Sequence, residues 1–290
     1  RLTGVKANNI KNLNIDIPLG LMIGVCGVSG SGKSTLVNDV LHPAVSSFIA
    51  NGNTSFDGVR KITGLDQLDK IINIDQSPIG RTPRSNPATY TGVFDKIRGL
   101  YAELPESKAR GWKQGRYSFN VPPQNGGGRC ETCQGDGTLT IEMNFLPDVH
   151  VPCERCDGLR YNAETLEVLY KKHSIADVLR ATVDDARELF SAQSGIKRTL
   201  DTLHDVGLGY VPLGHSATWL SGGEAQRVKI AEQLAKRSTG KTLYILDEPT
   251  TGLDVTVQAE IMQLLKQIRK DLNTSIILVS HDLPLINEVC

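Results

Sequence analysis

The residues richest in chemistry form one run, Gly27-Val28-Ser29-Gly30-Ser31-Gly32-Lys33-Ser34, followed by Thr35. It fits G-x-x-x-x-G-K-[ST] in full. Gly27, Gly30 and Gly32 let backbone amides wrap a phosphate chain, with Ser29 and Thr35 beside them. The opening helix adds its partial positive charge. Lys33 would reach the β- and γ-phosphates, and the Ser34 hydroxyl would ligate Mg²⁺. A glycine-rich turn with a chance lysine is the alternative. The apolar run Leu21–Cys26 before it and the helix-like Ser34–Leu41 after it favour the nucleotide.

Further residues suit the same chemistry. Ser221-Gly222-Gly223 opens a helix-like stretch and forms a second anion cradle. Asp247 and Glu248 end the apolar run Thr242–Leu246; Asp247 is placed to hold Mg²⁺ through water, and Glu248 to polarise the attacking water. His281 follows the apolar run Ser275–Val279; a lone histidine there is more often structural, but in company with these motifs a γ-phosphate contact is the better reading. Gln76 follows the short strand Ile71–Asp75 and could touch Mg²⁺ or water, a solvated loop residue being the default.

Cys130, Cys133, Cys153 and Cys156 make C-x₂-C-x₁₉-C-x₂-C, the spacing of a four-thiolate zinc site. Four thiolates leave no open position, so such a zinc is structural; redox pairs or disulfides are the alternative. From Lys108 to Arg129 there is no acidic residue, and Lys108, Arg110, Lys113, Arg116 and Arg129 interleave with Trp112, Tyr117 and Phe119. That stretch could track phosphates and stack bases, with Tyr117 among the contacts. A solvated basic loop with its aromatics turned inward explains it equally well.

These groups need elements to position them. Residues 2–25 alternate in the manner of antiparallel strands before the phosphate loop. Prolines and glycines interrupt regular structure from Ser77 to about Leu213. Thr138–Met143 alternates as one strand of a ribbon, and short amphipathic helices read at 175–179 and 183–190. Helices also read at Val228–Leu234 and Val257–Leu272. Lys+Arg and Asp+Glu are equal at 32 each, so any nucleic-acid surface must be a local patch. No apolar run is long enough to cross a bilayer, and the cysteine pairs suit a reducing cytosol. Both ends fall inside elements, as in a fragment of a longer protein.

The phosphate loop, Leu220–Arg227, the Asp247-Glu248 strand and Ser280-His281 occur in the order of an ABC-type ATPase, which the chain resembles. Residues 74–90, 115–120, 145–148 and 205–210 are similar to the C-terminal cassette of the UvrA family of nucleotide excision repair. The resemblance implies an α/β P-loop core preceded by antiparallel strands. A large insertion, poor in regular α/β structure, would carry a zinc ribbon. It divides the chain into a first core half (1–76), an inserted DNA-binding domain (77–213, zinc module about 126–161) and a second core half (214–290). It implies a cytoplasmic ATPase using ATP, Mg²⁺ and structural Zn²⁺. Its partners would be damaged double-stranded DNA, a second ATPase head in a homodimer or the same longer chain, and a UvrB-type helicase, with no membrane.

Two features depart from that pattern. Pro122-Pro123-Gln124-Asn125 reads as an insertion before Gly126. Residues 254–260 and 279–282 look more like peptide-importer ATPases. An importer subunit, a UvrA-like paralogue with another role and a non-catalytic zinc scaffold therefore stand as alternatives.

Overall fold

The computed structural model describes residues 1–143, 149–235, 240–250 and 255–289, without the side chains at 257, 271, 272, 285, 288 and 289. The sequence motif at 145–148 and the turn at 251–254 thus lie outside the described residues. The chain divides into two compact units, 1–77 with 236–290, and 78–235. The second unit reaches Ala235, beyond the boundary at 213 read from the sequence, and so takes in the helix Gly222–Leu234.

In the first unit, a parallel sheet runs in the order Met22–Cys26, Ser275–Ser280, Thr242–Asp247, Lys70–Ile74. Its inner strands are continuous apolar runs because helices must cover both faces of such a sheet; every residue of Ser275–Ser280 is buried. Asp247 pairs with Val279 and Cys26 with Ser280, so the strands end level. Asp247 at its strand's end and the loops carrying Gly27, Asp75 and His281 therefore leave one edge together, the edge where parallel sheets bind ligands. Leu36, Val37, Val40 and Leu41 from the helical segment after the phosphate loop pack on Leu243, Ile245, Ile277 and Val279.

The expected antiparallel strands are Leu2–Ala7 and Ile10–Ile15. Their tight turn at Asn8-Asn9 has Asn8 at φ 50°, a left-handed conformation asparagine tolerates. The strand Leu2–Ala7 also pairs with Lys61–Ile62.

The second unit is built largely of short helices. Ser174, Thr182 and Ser221 each cap one, with Asp177, Asp185 and Glu224 closing the reciprocal box. Phe94 stacks on Phe119 at 5.2 Å, and the Tyr161 hydroxyl donates to the Tyr117 carbonyl at 2.8 Å. A two-stranded ribbon, Thr138–Ile141 with Val149–Pro152, stands between the cysteine pairs. No helix among the described residues is long and apolar enough to cross a membrane.

Candidate nucleotide and metal sites

The first unit holds a cleft of about 490 Å³ at the level strand ends. Ser29, Gly30, Gly32, Lys33, Ser34 and Thr35 line one side; Asp75, Gln76, Asp247, Glu248 and His281 line the other. Gly32 sits at φ +99°, and a Cβ there would meet Asn9 Oδ1 at 3.0 Å, so backbone sign and space both require glycine. Lys33 Nζ donates to the carbonyls of Gly27 at 2.7 Å and Val28 at 3.1 Å. Asn9 Nδ2 donates to the Gly30 carbonyl at 3.0 Å, tying the hairpin turn to the loop.

Opposite, Glu248 adopts φ +52°, uncommon for a residue with a side chain. Its amide donates to the Val279 carbonyl at 2.8 Å, and its carboxylate faces His281. Gln76 Nε2 donates to the Glu248 carbonyl at 3.1 Å, so Gln76 meets the backbone of that residue. Burial pushes the Asp247 carboxyl above the usual carboxylate range; a hydrogen bond from Asn38 opposes this, and the Glu248 and Asp75 charges reinforce it. Converging carboxylates of this kind fit a hard cation such as Mg²⁺, with Ser34 and Asp247 as its candidate protein ligands.

In the second unit, the four cysteine Sγ atoms lie within 4.8 Å of one another, all buried. Tetrahedral zinc with Zn–S of about 2.3 Å requires sulfurs about 3.8 Å apart. Cys133 and Cys156 are 3.6 Å apart, and the described cysteines are free thiols. The cluster therefore fits zinc, not disulfides. Each pair turns through a left-handed residue just past its second cysteine, Gln134 at φ 51° and Asp157 at φ 49°. The turn after Cys133 sends the Gly137 amide to that sulfur at 3.3 Å. Burial pushes the Cys133 and Cys156 thiols up. Burial also pushes Cys153 up, but the Cys156 and Arg155 amides outweigh it and lower that thiol.

Ser221, Gly222 and Gly223 start their helix as expected. The Ser221 hydroxyl accepts from the Glu224 amide, and Tyr210 donates to Glu224 Oε1 at 2.6 Å.

The basic stretch looks different once folded. Lys108 pairs with Glu103, Arg110 with Glu106 and Glu167, and Arg116 with Glu164. The guanidinium of Arg116 lies 4.1 Å from the Trp112 ring centroid, and Arg110 lies 4.8 Å from it. Arg129 donates to the Asn120 carbonyl. Tyr117 is fully buried against Tyr101, its hydroxyl bonded to Ser107, so it offers no ring to a base. Its sequence-based role as a DNA contact is corrected to a core role. Lys113 remains exposed.

The chain matches the family model described as "ABC transporter" over residues 136–251. It also matches the one described as "AAA domain, putative AbiEii toxin, Type IV TA system" over residues 217–287. UvrABC system protein A of Staphylococcus epidermidis is 57% identical over 286 residues, covering 99% of this chain and 30% of that relative. The Bacillus subtilis protein of that name is 57% identical over 285 residues, 98% of this chain and 29% of the relative. The crystal structure of UvrA2 from Deinococcus radiodurans matches with a TM-score of 0.88 at 49% identity, covering 99% of this chain and 34% of that one.

The chain is homologous to UvrABC system protein A. It spans about 30% of the length of these curated relatives. Its fold is the P-loop ABC ATPase fold of the UvrA structure. The 286-residue alignment takes in nearly all of the terminal stretch whose residues look importer-like.

Sequence reasoning missed three asparagines, one lining the cleft and two linked to Asp247 behind it. Asn9 reaches the phosphate loop from the hairpin, Asn38 bonds Asp247, and Asn73 bonds Asn38. No motif pattern contains them; Asn38 and Asn73 show only as polarity inside otherwise apolar runs, and Asn9, in a polar turn, gives no such signal.

Proposed function

We propose that the chain is a DNA-binding, DNA-repair ABC-type ATPase unit of the UvrA kind. The observation that carries this is the grouping of Lys33, Asp247, Glu248, Gln76 and His281 at one cleft, in a chain homologous to UvrABC system protein A along 99% of its length. Ser29, Gly30, Gly32 and Thr35 cradle the phosphates of ATP, and Lys33 turns from the Gly27 and Val28 carbonyls onto the β- and γ-phosphates. Bound Mg²⁺ would neutralise phosphate charge, held by Ser34 and Asp247. Glu248 accepts the proton of the attacking water, and His281 orients the Glu248 carboxylate. Gln76 fixes the Glu248 backbone. Ser221, Gly222 and Gly223 serve the phosphate of a second ATPase head, in a homodimer or in a longer chain.

Cys130, Cys133, Cys153 and Cys156 hold one zinc that shapes the second unit. That unit grips damaged duplex DNA, with Lys113 available as a phosphate contact and Lys108, Arg110 and Arg129 at its margin. A UvrB-type helicase would receive the DNA, in the cytoplasm. ATP hydrolysis and binding to matched damaged and intact duplexes test the reading. A protein that neither hydrolyses ATP nor prefers damaged duplex overturns it.

A further inference from the structure

Asn38 sits four residues beyond Ser34, in a segment, Thr35–Leu41, wound with π-type turns. Such turns are rare and are frequently found at functional sites. Asn38 Nδ2 donates to Asp247 Oδ2 at 3.2 Å, and Asn38 Oδ1 accepts from Asn73 Nδ2 at 3.4 Å. The chemistry forces this orientation: a carboxylate only accepts, so the amide nitrogen must face it and the amide oxygen must face Asn73.

Asn73 lies in the strand Lys70–Ile74, opposite Ile245 of the strand that ends in Asp247. Its own Oδ1 is buried without a hydrogen-bond partner among the described residues. A fold rarely keeps such an atom without a use. Turning Asn73 to satisfy it would withdraw the donor from Asn38. Phosphate-loop helix, edge strand and carboxylate strand are thus joined by one amide relay, and it ends on the acidic group placed to meet Mg²⁺.

We infer that Asn38 is a positioning residue for the cation: supported by Asn73, it fixes the rotamer of Asp247 and so sets how much Mg²⁺ tightens nucleotide binding. The inference rests on reading the cleft as an Mg²⁺–ATP site. Among the described residues Asn38 hydrogen-bonds neither the phosphate-loop amides nor Lys33, so binding of nucleotide without metal is largely independent of it.

The experiment measures affinity for a fluorescent ATP analogue, in Mg²⁺ and in EDTA, for the wild type, Asn38→Leu and Asn73→Ala. Asn38→Leu keeps the branched heavy-atom outline and removes both hydrogen bonds. Its EDTA affinity stays within about twofold of wild type while the Mg²⁺-dependent gain falls about tenfold, the scale of losing a group that orients a metal ligand. Asn73→Ala moves the same ratio in the same direction, by less. A wild-type ratio in Asn38→Leu overturns the inference. Should that variant not fold, an unchanged ratio in Asn73→Ala overturns it instead. A wild type with no Mg²⁺ gain overturns the reading of the cleft itself.

Discussion

His281 meets one oxygen of Glu248 twice: its backbone amide donates to Oε1 at 3.1 Å, and its Nδ1 lies 2.8 Å from the same atom. A ring nitrogen that close to a carboxylate oxygen carries the proton, leaving Nε2 turned elsewhere. The histidine thus holds the Glu248 carboxylate, as the proposed base role requires. Glu248→Gln keeps ATP binding and lowers turnover by about 10²- to 10⁴-fold, since the amide cannot accept a proton. His281→Ala lowers turnover with a smaller effect on binding, and Lys33→Ala loses binding. Single-turnover hydrolysis beside equilibrium ATP binding separates the three, and full turnover in Glu248→Gln would sink the assignment.

Tyr101, Tyr117 and Tyr161 are buried phenols of the second unit, and burial pushes all three above the ordinary tyrosine value. Once pH passes about 10, the unfolded chain gives up phenol protons that the folded chain keeps. The unfolded state then binds fewer protons, so stability falls with rising pH. Below about pH 10 these groups contribute their full stabilisation. The part of the tyrosinate absorbance lost in a Tyr101/Tyr117/Tyr161→Phe comparison should appear in an alkaline titration only together with the loss of circular dichroism. Ionisation of these three phenols near pH 10 in an intact fold would refute the claim.

Short-range features were legible because their signals are local. The strand, glycine loop and helix opening around Lys33 follow one another directly. The carboxylates of Asp247 and Glu248 stand at the end of an apolar run, and cysteine spacing alone picks out the four thiols that the fold brings together. What escaped depends on distant partners: Asn38 finds Asp247 209 residues away, and Arg116 finds Glu164 48 residues on. The stretch Lys108–Arg129 is acid-free along the chain but not in space. Tyr117, flanked by basic residues, still goes to the core because its ring packs and its hydroxyl finds Ser107.

The zinc proposed for the cysteine cluster makes a separable prediction. Metal analysis finds about one zinc per chain, and Cys153→Ser loses it. The second unit then melts at lower temperature, since structural zinc contributes folding free energy directly. Nucleotide binding in EDTA-free buffer persists, because every residue lining that cleft belongs to the first unit. Gly135→Ala acts on the same knuckle without touching a ligand. A Cβ there would stand 2.0 Å from the Phe119 carbonyl oxygen, at φ +91°. It weakens zinc retention, and a variant holding zinc as tightly as wild type would contradict the packing account.

Arg116 and Lys113 stand three residues apart, and substituting them should do opposite things. The Arg116 side chain is only 11% exposed, bonded to Thr165, Asn162 and Glu164, and its guanidinium lies on Trp112. Arg116→Ala removes all of these and costs about 1–3 kcal/mol of stability in the second unit. Its effect on DNA affinity follows the loss of folded protein. Lys113 is exposed, with no such contacts among the described residues. Lys113→Ala leaves the melting temperature nearly unchanged and weakens binding to damaged and intact duplexes by similar factors. It flattens the slope of log affinity against log salt by about one unit, the signature of one lost phosphate contact. Salt titrations on matched duplexes, run beside thermal melts, distinguish the two. Equal salt slopes for Lys113→Ala and wild type would remove this stretch from the DNA surface, leaving it as the Arg–Trp–Arg clamp that its folded contacts describe.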